Sequence, residues 1–319
     1  MDYAIGIDIG GTNTRVSAVE ITGRRGPSAD FRSDAHTETE SYLAALTNAI
    51  NTVRDAAGRD GCRGVGVGAP NGNFYDGWIK QAPNLTFAQD VPLVAELRQR
   101  TGLEAVYITN DANAAALGER LYGAARDLND FITITLGTGL GAGIVTGGQV
   151  LYGHDGFAGE LGHVTVIRDG RACGCGNRGC LETYCSATGI VRNFCELMAT
   201  YNRRSVLASK RFDEIDARMI AEAAKASDCI AVEAYDMTGR ILGQALAGFV
   251  TFSAPRKIFL FGGPVAAGNL LFTPAREALE ASVERRWKGK IDVEPSGLPG
   301  GDAAILGAAA LAWHSLGKG

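Results

Sequence analysis

Several features that would place this 319-residue sequence in other classes of protein are missing from it. The opening residues carry no basic segment followed by an apolar stretch, so we expect no secretory signal. The apolar segment 303–313 is too short to cross a bilayer, which takes about 20 residues. The net charge is −4, and no Lys/Arg tract is long enough to follow a nucleic-acid backbone. We therefore expect a cytoplasmic protein that has neither a membrane nor a nucleic-acid partner.

A regular disulfide framework is also missing. The sequence has seven cysteines, an odd number, and four of them are scattered along the chain: Cys62, Cys185, Cys195 and Cys229. We interpret these four as small buried hydrophobic side chains. With 46% hydrophobic residues, the chain is long enough to bury ordinary cores without disulfides.

The other three cysteines lie within eight residues and follow a histidine. The four candidate metal ligands are His163, Cys173, Cys175 and Cys180. Gly174, Gly176 and Gly179 lie among the cysteines, so the backbone can turn tightly enough to direct three sulfurs at one point. One imidazole and three thiolates complete the tetrahedral shell of a structural zinc. The alternatives are a disulfide between two of the thiols, or three inert and buried thiols.

Two carboxylates flank this cluster, Glu160 on one side and Glu182 on the other. The predicted zinc shell is complete without them. We therefore expect the cluster to hold Glu160 and Glu182 in position for a polar ligand.

Strands alternate with helices along the sequence, which is typical of an α/β fold with a mainly parallel, covered sheet. The pattern I-D-I-G-G-T at 7–12 resembles I-T-L-G-T-G at 134–139, because both are apolar strands that break at glycine and threonine. The similarity predicts two related domains that flank a cleft. We expect a smaller domain over 1–112, completed by a C-terminal helix over 302–316, and a larger domain over 113–301 that carries the cysteine cluster.

Glycine turns end three of the predicted strands. These turns are Gly10-Gly11-Thr12, Gly137-Thr138-Gly139 and Gly262-Gly263. Strand ends are where ligands bind in α/β folds, and consecutive N–H groups without side chains can surround a phosphate. The pattern G-x-x-x-x-G-K-[ST] is absent, and Ala142 interrupts a G-x-G-x-x-G pattern in the middle turn. Each turn is therefore either a phosphate site or an ordinary tight turn.

Two aspartates near these strand ends are candidate catalytic groups. Asp8 lies in an apolar strand beside Gly10, where it would contact a phosphate or a Mg²⁺-bound water, or else only a local turn. Asn110, Asp111 and Asn113 crowd a strand–helix junction. The Asp111 carboxylate is either the N-cap of that helix or a general base that accepts a hydroxyl proton during phosphoryl transfer.

Taken together, the motifs resemble those of the ROK family (repressor, open reading frame, kinase), within the hexokinase and actin-like ATPase superfamily. The residues that carry the resemblance are D-I-G-G-T-N-T-R at 8–15, N-D-A-N at 110–113, L-G-T-G-L-G at 136–141, G-E-L-G-H at 159–163 and C-G-C-G-N-R-G-C-L-E at 173–182. The match covers nearly the whole chain, and the last two motifs are very specific to the family. The resemblance implies an α/β fold of the actin-like ATPase and hexokinase type, which is also called ribonuclease H-like.

The resemblance also implies roles for individual residues. The implied ATP contacts are Gly10, Gly11, Thr12, Asn13, Gly137, Thr138 and Gly139, with Gly262 and Gly263 on the adenine and ribose side. Asp8 would lie near Mg²⁺ and the phosphates, and Asp111 would be the base that activates the C6 hydroxyl of a hexose. The implied sugar contacts are Asn84, Asn110, Asp111, Glu160, His163 and Glu182. One ring nitrogen of His163 would face the sugar and the other would face the structural Zn²⁺.

One residue departs from the family pattern. Family members commonly have a third glycine where this chain has Pro264, which supplies no N–H donor. The third turn therefore supports nucleotide binding less strongly than the other two turns support phosphate binding.

The activity that the resemblance implies is ATP-dependent phosphorylation of a hexose, and glucose is the substrate we expect. Fructose, N-acetylmannosamine, N-acetylglucosamine and allose are alternatives, and we expect segments 70–88 and 152–157 to discriminate among them. A sugar-responsive regulator is a more distant alternative, because the phosphate motif at residue 8 leaves no room for a preceding DNA-binding domain. The resemblance also favours a homodimer.

Overall fold

A computed structural model describes residues 1–82, 85–87, 90–201, 204–299 and 302–318. The chain divides into two compact units. The first unit contains Met1–Asn129, Gly148–Gly159 and Gly297–Gly319, and the second contains Asp130–Gly147 and Glu160–Ser296.

Strands and helices alternate, as the sequence pattern predicts. In chain order the strands are β1 (Tyr3–Ile9), β2 (Asn13–Val19), β3 (Arg25–Arg32), β4 (Cys62–Gly68), β5 (Ile79–Lys80), β6 (Asp90–Val91), β7 (Val106–Thr109), β8 (Phe131–Leu136), β9 (Leu140–Thr146), β10 (Gln149–Val150), β11 (Lys257–Phe261) and β12 (Asp292–Pro295). The helices are α1 (Thr39–Ala57), α2 (Leu93–Thr101), α3 (Asp111–Tyr122), α4 (Glu182–Cys185), α5 (Ala187–Thr200), α6 (Ala217–Lys225), α7 (Cys229–Ser253), α8 (Asn269–Ser282) and α9 (Ala303–Ser315).

The sheet of the first unit has the strand order β3-β2-β1-β4-β7. Strand β1 is antiparallel to β2 and parallel to β4, which is in turn parallel to β7. The carboxyl ends of β1, β4 and β7 therefore lie along one edge of the sheet. Asp8, Gly68 and Thr109 are at this edge, which is where ligands bind in open α/β sheets.

Helices cover both faces of this sheet. Alternate residues of β1, such as Ile5 and Ile7, share a buried core with Leu46 and Ile50 of α1. On the other face, α9 approaches so closely that a Cβ on Gly66 would lie 1.9 Å from the carbonyl oxygen of Ala308. The C-terminal helix thus completes the core of the first unit, although it is the last element in the sequence.

Helix α3 also belongs to the first unit. It packs on α9, where a Cβ on Gly118 would lie 2.9 Å from the Cα of Gly307. The first unit therefore extends to Asn129, beyond the expected boundary at residue 112. It also includes the later segment Gly148–Gly159.

Four strands of the second unit form a sheet in the order β9-β8-β11-β12. Strand β8 is antiparallel to β9 and parallel to β11, which is parallel to β12. This arrangement repeats that of β2-β1-β4-β7, and the two hairpins carry the similar glycine patterns at 7–12 and 134–139. The predicted relationship between the two domains is therefore confirmed at the level of strand order and direction.

A short break separates two helices of the second unit. Helix α4 ends at Cys185, and the Ser186 hydroxyl oxygen accepts a hydrogen bond from the Gly189 N–H at 3.0 Å and caps α5.

The expectation that the four scattered cysteines are buried is correct for Cys185 and wrong for Cys229, which is exposed at the start of α7. Cys62 and Cys195 are half-buried.

Candidate active site

The first glycine turn, residues 10–12, joins β1 to β2. The Gly10 N–H donates to the Asn13 carbonyl at 3.0 Å, and the Thr12 carbonyl accepts from the Ser33 N–H at 2.9 Å. The N–H groups of Gly11 and Thr12 have no protein acceptor within the described residues. These two donors are therefore available to an anionic ligand.

Asp8 precedes this turn, and its carboxylate is largely buried. Burial raises its pKa from 3.8 to about 6; the positive charge of Arg15, at 3.7 Å, opposes the rise, and the negative charge of Asp111 adds to it. The elements that carry Asp8 and Asp111 converge near Gly68, where a Cβ would lie 3.9 Å from both the Ile7 carbonyl oxygen and the Asp111 Cα. The structure thus brings the two candidate aspartates together.

Asn110, and not Asp111, is the N-cap of α3. The Asn110 Oδ1 accepts a hydrogen bond from the Asn113 N–H at 2.7 Å. Asp111 is the first residue of the helix, and its Oδ1 accepts from the Ala112 N–H at 2.8 Å. The N-cap interpretation of Asp111 is therefore wrong, because the neighbouring amide already performs that function.

The pKa of the Asp111 carboxyl is raised. Burial among protein atoms is the main cause, and the hydrogen bond from the Ala112 N–H opposes it. The residue as a whole is nevertheless exposed. A carboxylate with a raised pKa at an exposed residue is suited to accept a proton from a bound solute.

The second glycine turn, residues 137–139, joins β8 to β9 in the second unit. The Gly137 carbonyl accepts from the Ala187 N–H at 2.8 Å, and the Thr138 carbonyl accepts from the Thr188 hydroxyl at 2.9 Å. These bonds hold the turn at the N-terminus of α5, which carries the positive end of the helix dipole. The location is suited to a phosphate.

The third glycine turn follows β11 and adjoins the second. A Cβ on Gly262 would lie 2.1 Å from the carbonyl oxygen of Leu136, the residue before Gly137. Pro264 lies in the first turn of a short 3₁₀ helix, Gly263–Ala267. A backbone N–H at that position would have no acceptor within the helix, so Pro264 does not disrupt the helix. The proline does remove one N–H donor that could otherwise bind a ligand.

The four candidate metal ligands converge in the second unit. Their ligand atoms, on His163, Cys173, Cys175 and Cys180, all lie within 4.8 Å of one another. The Cys175 and Cys180 sulfurs are 3.7 Å apart, and the Cys173 sulfur is 3.6 Å from His163 Nδ1. In a tetrahedral zinc site, the usual bond lengths give about 3.8 Å between two sulfurs and about 3.6 Å between sulfur and nitrogen. The residues present therefore fit zinc.

The backbone of the cluster turns at glycines, as predicted. Gly176 and Gly179 have φ of 92° and 76°, which lie in the region that favours glycine. The cysteines are free thiols, so the disulfide alternative does not describe this structure.

Glu160 and Glu182 approach the imidazole of His163 from its two sides. Glu160 Oε2 lies 3.9 Å from Nε2, and Glu182 Oε1 lies 3.7 Å from Nδ1. Nδ1 is also the nitrogen near the Cys173 sulfur, which leaves Nε2 on the side of Glu160. The second oxygen of Glu182 lies beside the second glycine turn, where a Cβ on Gly139 would be 2.9 Å from Oε2.

Asn84, one of the predicted sugar contacts, lies outside the described residues. The segments 70–88 and 152–157, which we expect to discriminate among sugars, are joined within the first unit by contacts of Asn73 and Phe74. The sequence gives no signal for this contact, because the partners are about 80 residues apart.

Among the described residues, no helix is both long and apolar enough to span a bilayer.

Comparison with known proteins gives the relationships of the chain. A sequence profile of the ROK family matches residues 4–315. A glucokinase of Thermotoga maritima is 35% identical over 316 residues, which are 98% of each chain. A ROK family glucokinase of Streptomyces griseus, whose crystal structure holds glucose and AMPPNP, is 33% identical, with a TM-score of 0.81 and coverage of 98% of this chain and 99% of that chain. The ROK hexokinase of Thermus thermophilus is 30% identical, with a TM-score of 0.81 and coverage of 99% and 100%. The chain therefore belongs to the ROK family and has the actin-like fold of its sugar kinases.

Proposed function

We propose that the protein transfers the γ-phosphoryl group of ATP to the C6 hydroxyl of glucose. The observation that carries the proposal is the position of Asp111. Asp111 is the first residue of α3, and Asn110 caps this helix in its place. The pKa of the Asp111 carboxyl is raised. Full-length similarity to a glucokinase and to a glucose-bound ROK structure supports glucose as the substrate.

Asp111 acts as the general base in this proposal. As the C6 oxygen bonds to the γ-phosphorus, its proton passes to the Asp111 carboxylate, and the bond to the β-phosphate oxygen breaks to release ADP. ATP with Mg²⁺ supplies the phosphoryl group and the cation that neutralises its charge. Asp8, beside Asp111, would hold a Mg²⁺-bound water, and the free N–H groups of Gly11 and Thr12 would bind phosphate oxygens.

The remaining nucleotide contacts come from the other glycine turns. Gly137, Thr138 and Gly139 would bind phosphate oxygens at the N-terminus of α5. Gly262 and Gly263 would border the adenine and ribose, and Asn13 would support the first turn from the start of β2.

Sugar hydroxyls are bound, in this proposal, by amide, carboxylate and imidazole groups. These are Asn84, Asn110, Asp111, Glu160, His163 and Glu182. The Oδ1 of Asn110 caps α3, so its amide N–H group is the part left for a sugar hydroxyl. A site built from several such groups rejects sugars that leave a buried polar group unpaired.

His163, Cys173, Cys175 and Cys180 would hold a structural Zn²⁺, which fixes the segment between Glu160 and Glu182. The ion has no part in the phosphoryl transfer. Its role is to fix the imidazole and the two carboxylates relative to one another.

Two further properties belong to the same proposal. We infer a homodimer from family resemblance. We also infer a cytoplasmic location, because a cluster of three free thiols suits a reducing compartment.

The decisive test is a panel of hexoses assayed with ATP and Mg²⁺ and compared by kcat/KM. We expect glucose to exceed fructose, allose and the two N-acetylated hexosamines by at least tenfold. A higher kcat/KM for another sugar would transfer the proposal to that sugar. Glucose binding without phosphorylation of any sugar would instead favour a regulator.

A further inference from the structure

Two segments of the first unit that are far apart in sequence form one surface. Phe74 stacks on Tyr152, with ring centroids 4.2 Å apart and ring planes at 4°. Tyr75 contacts Tyr152 edge-on at 6.1 Å. Phe74 and Tyr152 are both half-buried. We call Asn73, Phe74, Tyr75 and Tyr152 the aromatic wall.

Hydrogen bonds to backbone carbonyls fix the aromatic wall. The buried Asn73 Nδ2 donates to the Asp155 carbonyl at 2.6 Å, and the Tyr75 hydroxyl donates to the Gly153 carbonyl at 2.8 Å. Close packing adds to these bonds, since a Cβ on Gly156 would lie 2.6 Å from Asn73 Nδ2. A wall fixed at three points cannot withdraw cheaply to admit a larger ligand.

The aromatic wall adjoins the strand end that leads to Asp111. The Ala69 N–H, at the start of the first segment, donates to the Thr109 carbonyl at 3.0 Å. The Tyr152 hydroxyl faces the Thr109 hydroxyl, and both oxygens are buried without a completed hydrogen bond among the described residues. Thr109 ends β7, and Asp111, which receives the substrate proton in the proposed function, follows two residues later at the start of α3. The wall therefore lies at the strand end from which Asp111 continues.

We propose that the aromatic wall determines sugar selectivity, by admitting a hexose without substituents and excluding an N-acetylated one. This inference rests on the proposed function. An acetamido group has four heavy atoms where a hydroxyl has one. It therefore needs space that a fixed aromatic surface does not provide. The wall acts by position and shape, so its residues are positioning residues and take no part in proton transfer.

The test compares Tyr152→Ala, Tyr152→Phe and Phe74→Leu with the wild type. For each, kcat/KM is measured for glucose and for N-acetylglucosamine, together with the KM for ATP. We expect Tyr152→Ala and Phe74→Leu to lower the preference for glucose about tenfold and to leave the KM for ATP within about twofold. Tyr152→Phe keeps the stacked ring and should keep the preference.

Phe212→Ala is the matched control, because Phe212 is an exposed aromatic residue of the second unit. Isothermal titration of both sugars gives the same preference from binding alone. An inactive wild type that prefers glucose in binding, with this preference lowered in Tyr152→Ala and Phe74→Leu, would contradict the proposed function and support the wall. An unchanged preference in both Tyr152→Ala and Phe74→Leu, or an equal loss in Tyr152→Phe, would overturn the inference.

Discussion

The Asp8 carboxyl lies close enough to Asp111 in the first unit for the charge of Asp111 to act on it. The negative charge of Asp111 adds to burial in raising the pKa of Asp8 from 3.8 to about 6. The folded protein therefore binds this proton more tightly than the unfolded chain does. Ionised Asp8 destabilises the fold. The stability that the protonated carboxyl contributes is therefore lost as the pH rises from about 4 through about 6.

Asp8→Asn should therefore stabilise the ligand-free protein at pH 8, by about 3 kcal/mol at most, and should have little effect at pH 4. Thermal unfolding at the two pH values measures the difference. Asp60→Asn, at an exposed residue, is the control and should leave Tm unchanged at both. A lower Tm of Asp8→Asn at pH 8 would show that Arg15 outweighs burial.

Asp111→Asn should fold and bind glucose but lose phosphorylation, with kcat lower by about 10²–10⁴-fold. The amide keeps the size of the side chain and its oxygen still accepts from the Ala112 N–H, yet it cannot take up a proton. Kinase turnover and glucose titration separate the two properties. Turnover near that of the wild type would remove Asp111 as the base.

Asn110→Ala separates capping from proton transfer. It removes the cap on the Asn113 N–H, so a loss of about 1 kcal/mol of stability is expected. The pH dependence of kcat should stay as in the wild type, because Asp111 is unchanged. A change in that dependence would show that the neighbouring amide takes part in the proton transfer.

Gly139→Ala should raise the KM for glucose while the protein remains folded. The new methyl group would lie 2.9 Å from Glu182 Oε2, and the flexible carboxylate would move away from it. Gly137→Ala is the matched control, since a Cβ there meets nothing within 4 Å. Steady-state kinetics on both variants checks this, and equal KM values for glucose would separate Glu182 from sugar binding.

Cys175→Ser should release zinc and raise the KM for glucose, because one of the four ligands of the cluster is weakened. Cys229→Ser, at an exposed cysteine outside the cluster, should keep one zinc per chain and wild-type kinetics. Elemental analysis of the purified protein measures the metal directly. A wild type without zinc would contradict the proposed role of the cluster.

The strand ends and their glycine turns could be predicted because each signal is local. An apolar run that stops at Gly10 or Gly137 reveals a strand and its turn at once, and both hairpins are present. The cysteine cluster could also be predicted from the sequence, because three of its ligands lie within eight residues. The similarity of the two glycine patterns predicted two related domains, whereas the order of their strands is known only from the structure.

Other features depend on contacts that the sequence does not express. Asn and Asp are both favoured at the N-cap, so the sequence alone does not show which of Asn110 and Asp111 caps α3. The side-chain conformation of Asn110 in the structure decides this. Segments 70–88 and 152–157 could be predicted to discriminate among sugars, but not how they do so, because the stack of Phe74 on Tyr152 joins positions 78 residues apart. The edge strand β3 is almost entirely exposed, so it lacks the apolar alternation that reveals inner strands.

The packing of α9 on β1 and β4 has a consequence for synthesis of the protein. The core around Gly66 stays open on one face until Ala308 and its neighbours have left the ribosome. The second unit has all its residues by Ser296, so it can reach its final packing while the earlier-made N-terminal sheet still waits for a cover. The second unit can therefore finish packing before the first unit, although the first unit begins earlier in the sequence. Strand β1 is then among the last strands to be fully buried.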